Sequence, residues 1–108
     1  MKHFLLSSDA DADLQDIYDY TEDMWGEAQA EKYIGDLYRV FDLLSGNPSL
    51  GRQRPELAAD IRSFASGAHV IFYMTWQNET AIVRVLHGSR DIEAIFLDYE
   101  PGSGMQED

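Results

Sequence analysis

Two apolar stripes of helical spacing, broken only by a glycine, limit this chain more than any other feature. In the first, Ala10, Leu14, Ile17, Tyr20 or Thr21, and Met24 recur every three or four residues, with Asp13, Asp16, Asp19 and Asp23 between them. In the second, Ala30, Tyr33, Ile34, Leu37, Val40 or Phe41, and Leu44 do the same. That period puts each set on one side of a helix. Ser8 stands where an N-cap belongs, and Asp9 and Asp11 fall in the first turn, where carboxylates suit the positive end of the helix dipole. Gly26 ends the first stripe, and Gly46, Asn47 and Pro48 stop the second. Two stripes of similar length with so short a break predict an antiparallel helical hairpin. Its apolar faces need a surface to lie on.

The second half supplies one. "GNPSLGRQRPELAAD" is punctuated by Gly, Pro and Asn and reads as a loop. After it, "IRSFAS", "HVIFYMTW" and "TAIVRVLH" are rich in β-branched and aromatic residues, and Gly67 and "QNE" separate them. Three such runs in succession predict an antiparallel meander. "HFLLS" at residues 3–7 reads as a first strand. "SRDIEAIFLDY" is a closing helix or an edge strand, with Ile92, Ile95 or Phe96, and Tyr99 as its stripe. The order is β-α-α-β-β-β with a short C-terminal element, an α+β layer of two helices on an antiparallel sheet. We expect one domain over 1–99 and a disordered tail over 100–108.

Charge narrows the function classes. Among the 108 residues there are 20 acids against 8 bases, a net charge of −12, and no cysteine. A surface of that balance repels nucleic acid unless its few cations are gathered. Without cysteine there is no disulfide, thiolate zinc site or thiol nucleophile. "MKHFLLSSDADAD" has too short an apolar run for a signal peptide or membrane span, so the expectation is a soluble cytoplasmic protein. Arg52, Arg54, Arg62, Arg84 and Arg90 all lie in the second half, and any anion site belongs there.

Several groups qualify as sites, each beside a plainer reading. Asp9, Asp13, Asp16, Asp19, Glu22 and Asp23 on the first helix can hold metal or mimic DNA phosphates, but such a run is more often a solvated face. Nothing resembles a calcium loop, so we expect no metal and no cofactor. His3, His69 and His87 sit near strand ends without the i, i+4 spacing of a zinc site, and each alone is more often a hydrogen-bonded structural residue. Arg52 and Arg54 form a basic spot in a loop. Arg62, Arg84, His87 and Arg90 are the sharper set. Strict alternation puts Arg84 on one strand face with Ile82 and Leu86, and Val83, Val85 and His87 on the other. Arginines beside a histidine suit RNA cleavage, where a base, an acid and cations must serve a charged phosphorane. Tyr73 is the available second proton-transfer group. The plainer reading is that Arg84 is pinned by a carboxylate, Asp91 or Asp60, as a structural ion pair.

The ordered features "DL.DIYDYTEDMWG", "A..Y...L...F.LL..NPSLGR", "IRSF...HVIFY" and "IVRVLHGSRD" resemble the RelE/ParE superfamily of bacterial type II toxins, in its ParE branch. The combination of Trp25-Gly26, Asn47-Pro48 with Gly51, Arg62, His69 with Tyr73, and "RVLH" with Arg90-Asp91 carries the likeness over about residues 3–96. The resemblance implies the fold already read from the pattern. It implies a toxin that inhibits DNA gyrase and is neutralised by a ParD-like antitoxin of the ribbon-helix-helix type. Such a complex is a heterotetramer or larger, and it meets DNA only through the antitoxin. The antitoxin's C-terminal segment then wraps the toxin, and Leu14, Ile17, Tyr18, Tyr33, Leu37 and Phe41 are the expected apolar contacts. Arg62, Arg84, His87 and Arg90 become target contacts.

Two other functions stay open. One is a ribosome-dependent mRNA endoribonuclease of the RelE type, with Arg62, Arg84, His87 and Arg90 as its catalytic set. No lysine follows Lys32 and the charge is −12, which weighs against docking in ribosomal RNA, and we expect no enzyme. The other is a non-toxic partner that only co-regulates its operon through the antitoxin.

Overall fold

The computed structural model describes residues 4–97. The expected tail, His3 and Tyr99 lie outside the described residues. The elements run β1 (Phe4–Leu6), α1 (Ser8–Trp25), α2 (Glu27–Gly46), a 3₁₀ turn (Pro48–Leu50), β2 (Arg52–Gln53), β3 (Arg62–Ser66), β4 (His69–Trp76), β5 (Glu79–His87) and α3 (Ile92–Phe96).

The hairpin forms where the stripes placed it. Gly26 joins the helices with φ at 96°, a conformation costly to a residue with a Cβ. The cap of α1 is Ser7, not Ser8. Ser7 Oγ accepts the Ala10 N–H at 2.9 Å and donates to the Val83 carbonyl at 2.7 Å. One buried serine therefore starts the helix and fixes it to β5. Of the paired alternatives, Thr21 and Phe41 are buried, and the Thr21 hydroxyl donates to the Ile17 carbonyl. Tyr20 and Met24 are turned to solvent.

The sheet order is β1-β5-β4-β3-β2. The meander is antiparallel as expected, but β1 joins β5 in parallel, because the whole hairpin and meander intervene between them. The Gln77-Asn78 turn between β4 and β5 has positive φ at both residues, the twist that suits a tight hairpin. Two residues of the expected loop, Arg52 and Gln53, pair with β3 as an edge strand.

A bulge near the middle of β5 resets its faces. Phe72 pairs with Arg84 and Tyr73 with Ile82, so Val83 is the extra residue. Strict alternation therefore fails. Ile82 and Val85 pack on the helix side, with Leu14, Ile17, Leu37, Phe41, Ile71 and Tyr73. Val83 and Leu86 pack on the opposite side, with Ile61, Phe72, Met74 and Phe96. A bulge adds one residue to one strand and shifts everything beyond it by one position. The second cluster is closed by α3 and the 54–61 segment, so neither face of the sheet is bare.

Candidate functional site

The basic residues do not form one centre. Arg62, on β3, donates to the Gly51 carbonyl at 2.7 Å and the Ser49 carbonyl at 3.4 Å. Beneath it, the buried Tyr73 hydroxyl accepts the Gly51 N–H at 2.7 Å and donates to the Pro48 carbonyl at 2.8 Å. Burial pushes the Tyr73 phenol above its ordinary pKa. The "NPSLGR" stretch is thus a tied joint that turns the chain from α2 into the sheet. Its tyrosine has its proton committed to the Pro48 carbonyl, and Arg62 on β3 is two strands from β5. Arg54 is likewise occupied, with Glu56 at 2.7 Å and Ser63 Oγ at 3.1 Å.

Arg84 is pinned, as the plainer reading held, but by neither Asp91 nor Asp60. Its partner is Asp13 on α1. Arg84 Nε and Nη2 donate to the two carboxylate oxygens at 2.8 and 2.9 Å, and the Val85 N–H donates to the same group at 2.9 Å. The carboxylate is the main reason the guanidinium pKa is raised. Asp91 caps α3 instead, accepting the Ala94 N–H at 3.3 Å.

What sequence reasoning did not assemble is a pair of histidines. His69 opens β4, His87 closes β5, and the two are direct cross-strand partners with ring centroids 5.4 Å apart. Each is hydrogen-bonded, as expected of single histidines: His69 Nδ1 with Tyr33 Oη at 2.6 Å, and His87 Nδ1 with Ser89 Oγ at 2.8 Å. Burial, with a smaller contribution from His87, holds the His69 pKa below its usual value. No spacing rule joins positions 69 and 87. Only the hairpin register does.

These histidines lie at the end of a groove of about 480 Å³. Its walls are Asp13, Asp16, Ile17, Tyr20, Thr21 and Trp25 from α1, Gln29 and Tyr33 from α2, and Ala68, His69, Val85, Leu86, His87 and Arg90 from the sheet side. Tyr20 and Trp25 are 65% and 70% exposed. Of the expected apolar contacts, Leu14, Ile17, Leu37 and Phe41 are buried core residues. Tyr18 and Tyr33 are half-buried, Tyr33 in this groove and Tyr18 in a smaller cleft beside Tyr38. The stripe pattern did not single out the exposed pair Tyr20 and Trp25, because it leaves Trp25 out and offers Tyr20 only as an alternative to Thr21. His87 and Arg90 line this groove, Arg84 lies behind its wall paired with Asp13, and Arg62 is elsewhere.

Among the described residues no three His, Asp or Glu side chains converge to hold a metal ion, and no helix is long and apolar enough to cross a membrane.

Residues 4–92 match the family model described as ParE toxin of type II toxin-antitoxin system, parDE. The chain is 38% identical to Toxin ParE1 of Mycobacterium tuberculosis over 91 residues, covering 83% of this chain and 93% of that protein. It is 39% identical to Toxin ParE1 of Caulobacter vibrioides over 94 residues, covering 87% and 97%. It is 30% identical to Toxin ParE of Escherichia coli over 99 residues, covering 91% and 96%. A solved structure, the chromosomal ParDE TA system from P. aeruginosa, superposes with a TM-score of 0.68 at 22% identity, covering 81% of this chain and 96% of that one, which bears on fold alone.

Proposed function

The chain belongs to the ParE toxin family of type II toxin-antitoxin systems, and from that premise we propose that it inhibits DNA gyrase in the cytoplasm and is silenced by a ParD-like antitoxin. The family match over residues 4–92 carries this reading. The antitoxin is of the ribbon-helix-helix kind, forms a heterotetramer or larger with the toxin, and supplies the only contact with DNA. Its wrapping segment lies in the groove between α1 and the sheet ends.

The arrangement of side chains favours a binding mode of action over RNA cleavage. A cleavage site needs a base, an acid and free cations around one phosphate. Here Arg62 and Tyr73 hold the 48–51 joint, Arg84 is consumed by Asp13, and His87 and Arg90 remain. The test is purified protein added to gyrase and relaxed plasmid, scoring supercoiling and trapped cleaved DNA. Lost supercoiling is the expected result. Folded protein that leaves gyrase untouched and cuts mRNA on ribosomes refutes the proposal.

A further inference from the structure

The groove beside α1 ends in a set of hydrogen-bond donors. Ala68 gives its backbone N–H to Tyr33 Oη at 3.1 Å, and His69 Nδ1 lies 2.6 Å from the same hydroxyl. The hydroxyl already accepts the Ala68 N–H, and His69 Nδ1 is the acceptor in contact with it, so we assign the phenolic proton to His69 Nδ1. Ser89 gives its backbone N–H to His87 Nδ1 at 3.1 Å. Both Nδ1 atoms are then acceptors, and a neutral imidazole carries its one proton on the other nitrogen. Each ring has an Nε2–H left to offer. The exposed Arg90 lines the same end of the groove. The nearby Asp13 carboxylate is engaged by Arg84 and the Val85 N–H and makes no hydrogen bond to either imidazole among the described contacts.

The geometry points to a carboxylate subsite in this groove, where His69, His87 and Arg90 receive an acidic side chain of the partner segment and Tyr20 and Trp25 cover that segment's apolar side chains. This rests on the reading that an antitoxin covers the groove, and it names the anchor. A protein segment fits better than a small molecule for three reasons. The groove is open and runs about 18 Å along α1 from Asp13 to Trp25. Its walls carry large exposed aromatic groups, Tyr20 and Trp25, the kind of side chain enriched at protein interfaces. The charges are also separated across the groove: Asp16 stands on the α1 wall, and the donors stand on the sheet side. A complementary segment is therefore amphipathic, with Lys or Arg toward α1 and one Asp or Glu toward the histidines.

The first probe is 4-phenylbutyrate, with uncharged 4-phenylbutyramide as control, titrated onto isotope-labelled protein at 0.15 M salt, where the Debye length of about 8 Å damps the field of the acidic chain. The acid should move the His69 and His87 ring signals and the Trp25 indole, and bind about tenfold more tightly than the amide. His87→Ala and Arg90→Ala, both at exposed positions, should bring the acid to the amide's level while melting temperature and the Trp25 response hold. In the complex with the antitoxin, the same ring signals should move and amide exchange over residues 13–25 should slow. Equal binding of acid and amide, or a Trp25 response without an imidazole response, overturns the carboxylate subsite. Slowed exchange would then still uphold the covering of the groove. Unchanged exchange over 13–25 in the complex refutes the covering itself.

Discussion

Gly51→Ala is the sharpest test of the joint that follows α2. Gly51 has φ −73° and ψ 158°, a conformation any residue adopts, so alanine brings no backbone penalty. What is missing is space. An added Cβ would press on Tyr73 Oη and lie 2.7 Å from Tyr73 Cε1 and 2.8 Å from the Ser63 carbonyl. Tyr73 is 1% exposed and its ring has nowhere to swing. Shifting Tyr73 opens two hydrogen bonds, Gly51 N–H to Tyr73 and Tyr73 to the Pro48 carbonyl, and shifting the Gly51 backbone opens a third, Arg62 to the Gly51 carbonyl. At about 1 kcal/mol net each, plus about 1–3 kcal/mol for overpacking, the cost is roughly 4–6 kcal/mol. For a domain near this size that lowers the melting temperature by roughly 15–30 °C, a large part of total stability. Thermal unfolding by circular dichroism reads it directly. Tyr73→Phe alone removes the hydroxyl and leaves a buried N–H and carbonyl unpaired, costing roughly 1–3 kcal/mol. The double variant no longer has the tightest contact, so its cost falls below the sum of the singles, although the contacts with Cε1 and Ser63 persist. A Gly51→Ala protein melting within about 3 °C of wild type, or strictly additive costs in the double, would refute the steric account.

Arg84→Ala should cost about 2–3 kcal/mol in urea unfolding, because it leaves the half-covered Asp13 carboxylate with only the Val85 N–H, and gyrase inhibition below the lowered melting temperature should be unchanged. Lost inhibition at full stability would make Arg84 a target contact. Phe96→Ala should cost about 3 kcal/mol, since its ring packs 5.1 Å from Phe72 under α3. A loss near zero would mean α3 adds little to the far side of the sheet. The His69 pKa is depressed by burial and by His87, with Asp13 opposing, so the unfolded chain takes up the proton first. Stability from this group is then present above the unfolded value near 6.5 and lost as pH falls below it, and His69→Gln should flatten that part of the melting curve's pH dependence. With a net charge of −12 on the chain, the acids repel one another at low salt. Raising salt from about 0.01 to 0.15 M shortens the screening length from about 30 to 8 Å and should raise the melting temperature. A fall would mean that local pairs such as Lys32–Asp36 outweigh the general repulsion.

The parts that could be read from the chain are those set by neighbours in sequence. The hairpin follows from a 3.6-residue period, and the meander from β-rich runs between turn residues. The parts that could not are set by register. The Val83 bulge turns on one residue's pairing, and the cross-strand meeting of His69 with His87 turns on where the Gln77-Asn78 turn falls. The misplaced partner of Arg84 is different, because a local sign of it was present. Asp13 was grouped with the acids of a solvated helix face. Yet it stands one turn before Ile17 and two before Thr21, both buried, so it lies in line with the core stripe and not opposite it. An acid at the edge of a buried stripe needs a cation or several N–H groups, since an unpaired carboxylate there is costly. The chain has only five arginines after residue 50 and no lysine there, and only Arg84 is embedded in an apolar strand with the matching need. Two half-buried opposite charges, each unaffordable alone, predict one another across 71 residues. Helix acids are therefore better sorted by their angle to the apolar stripe than by their number.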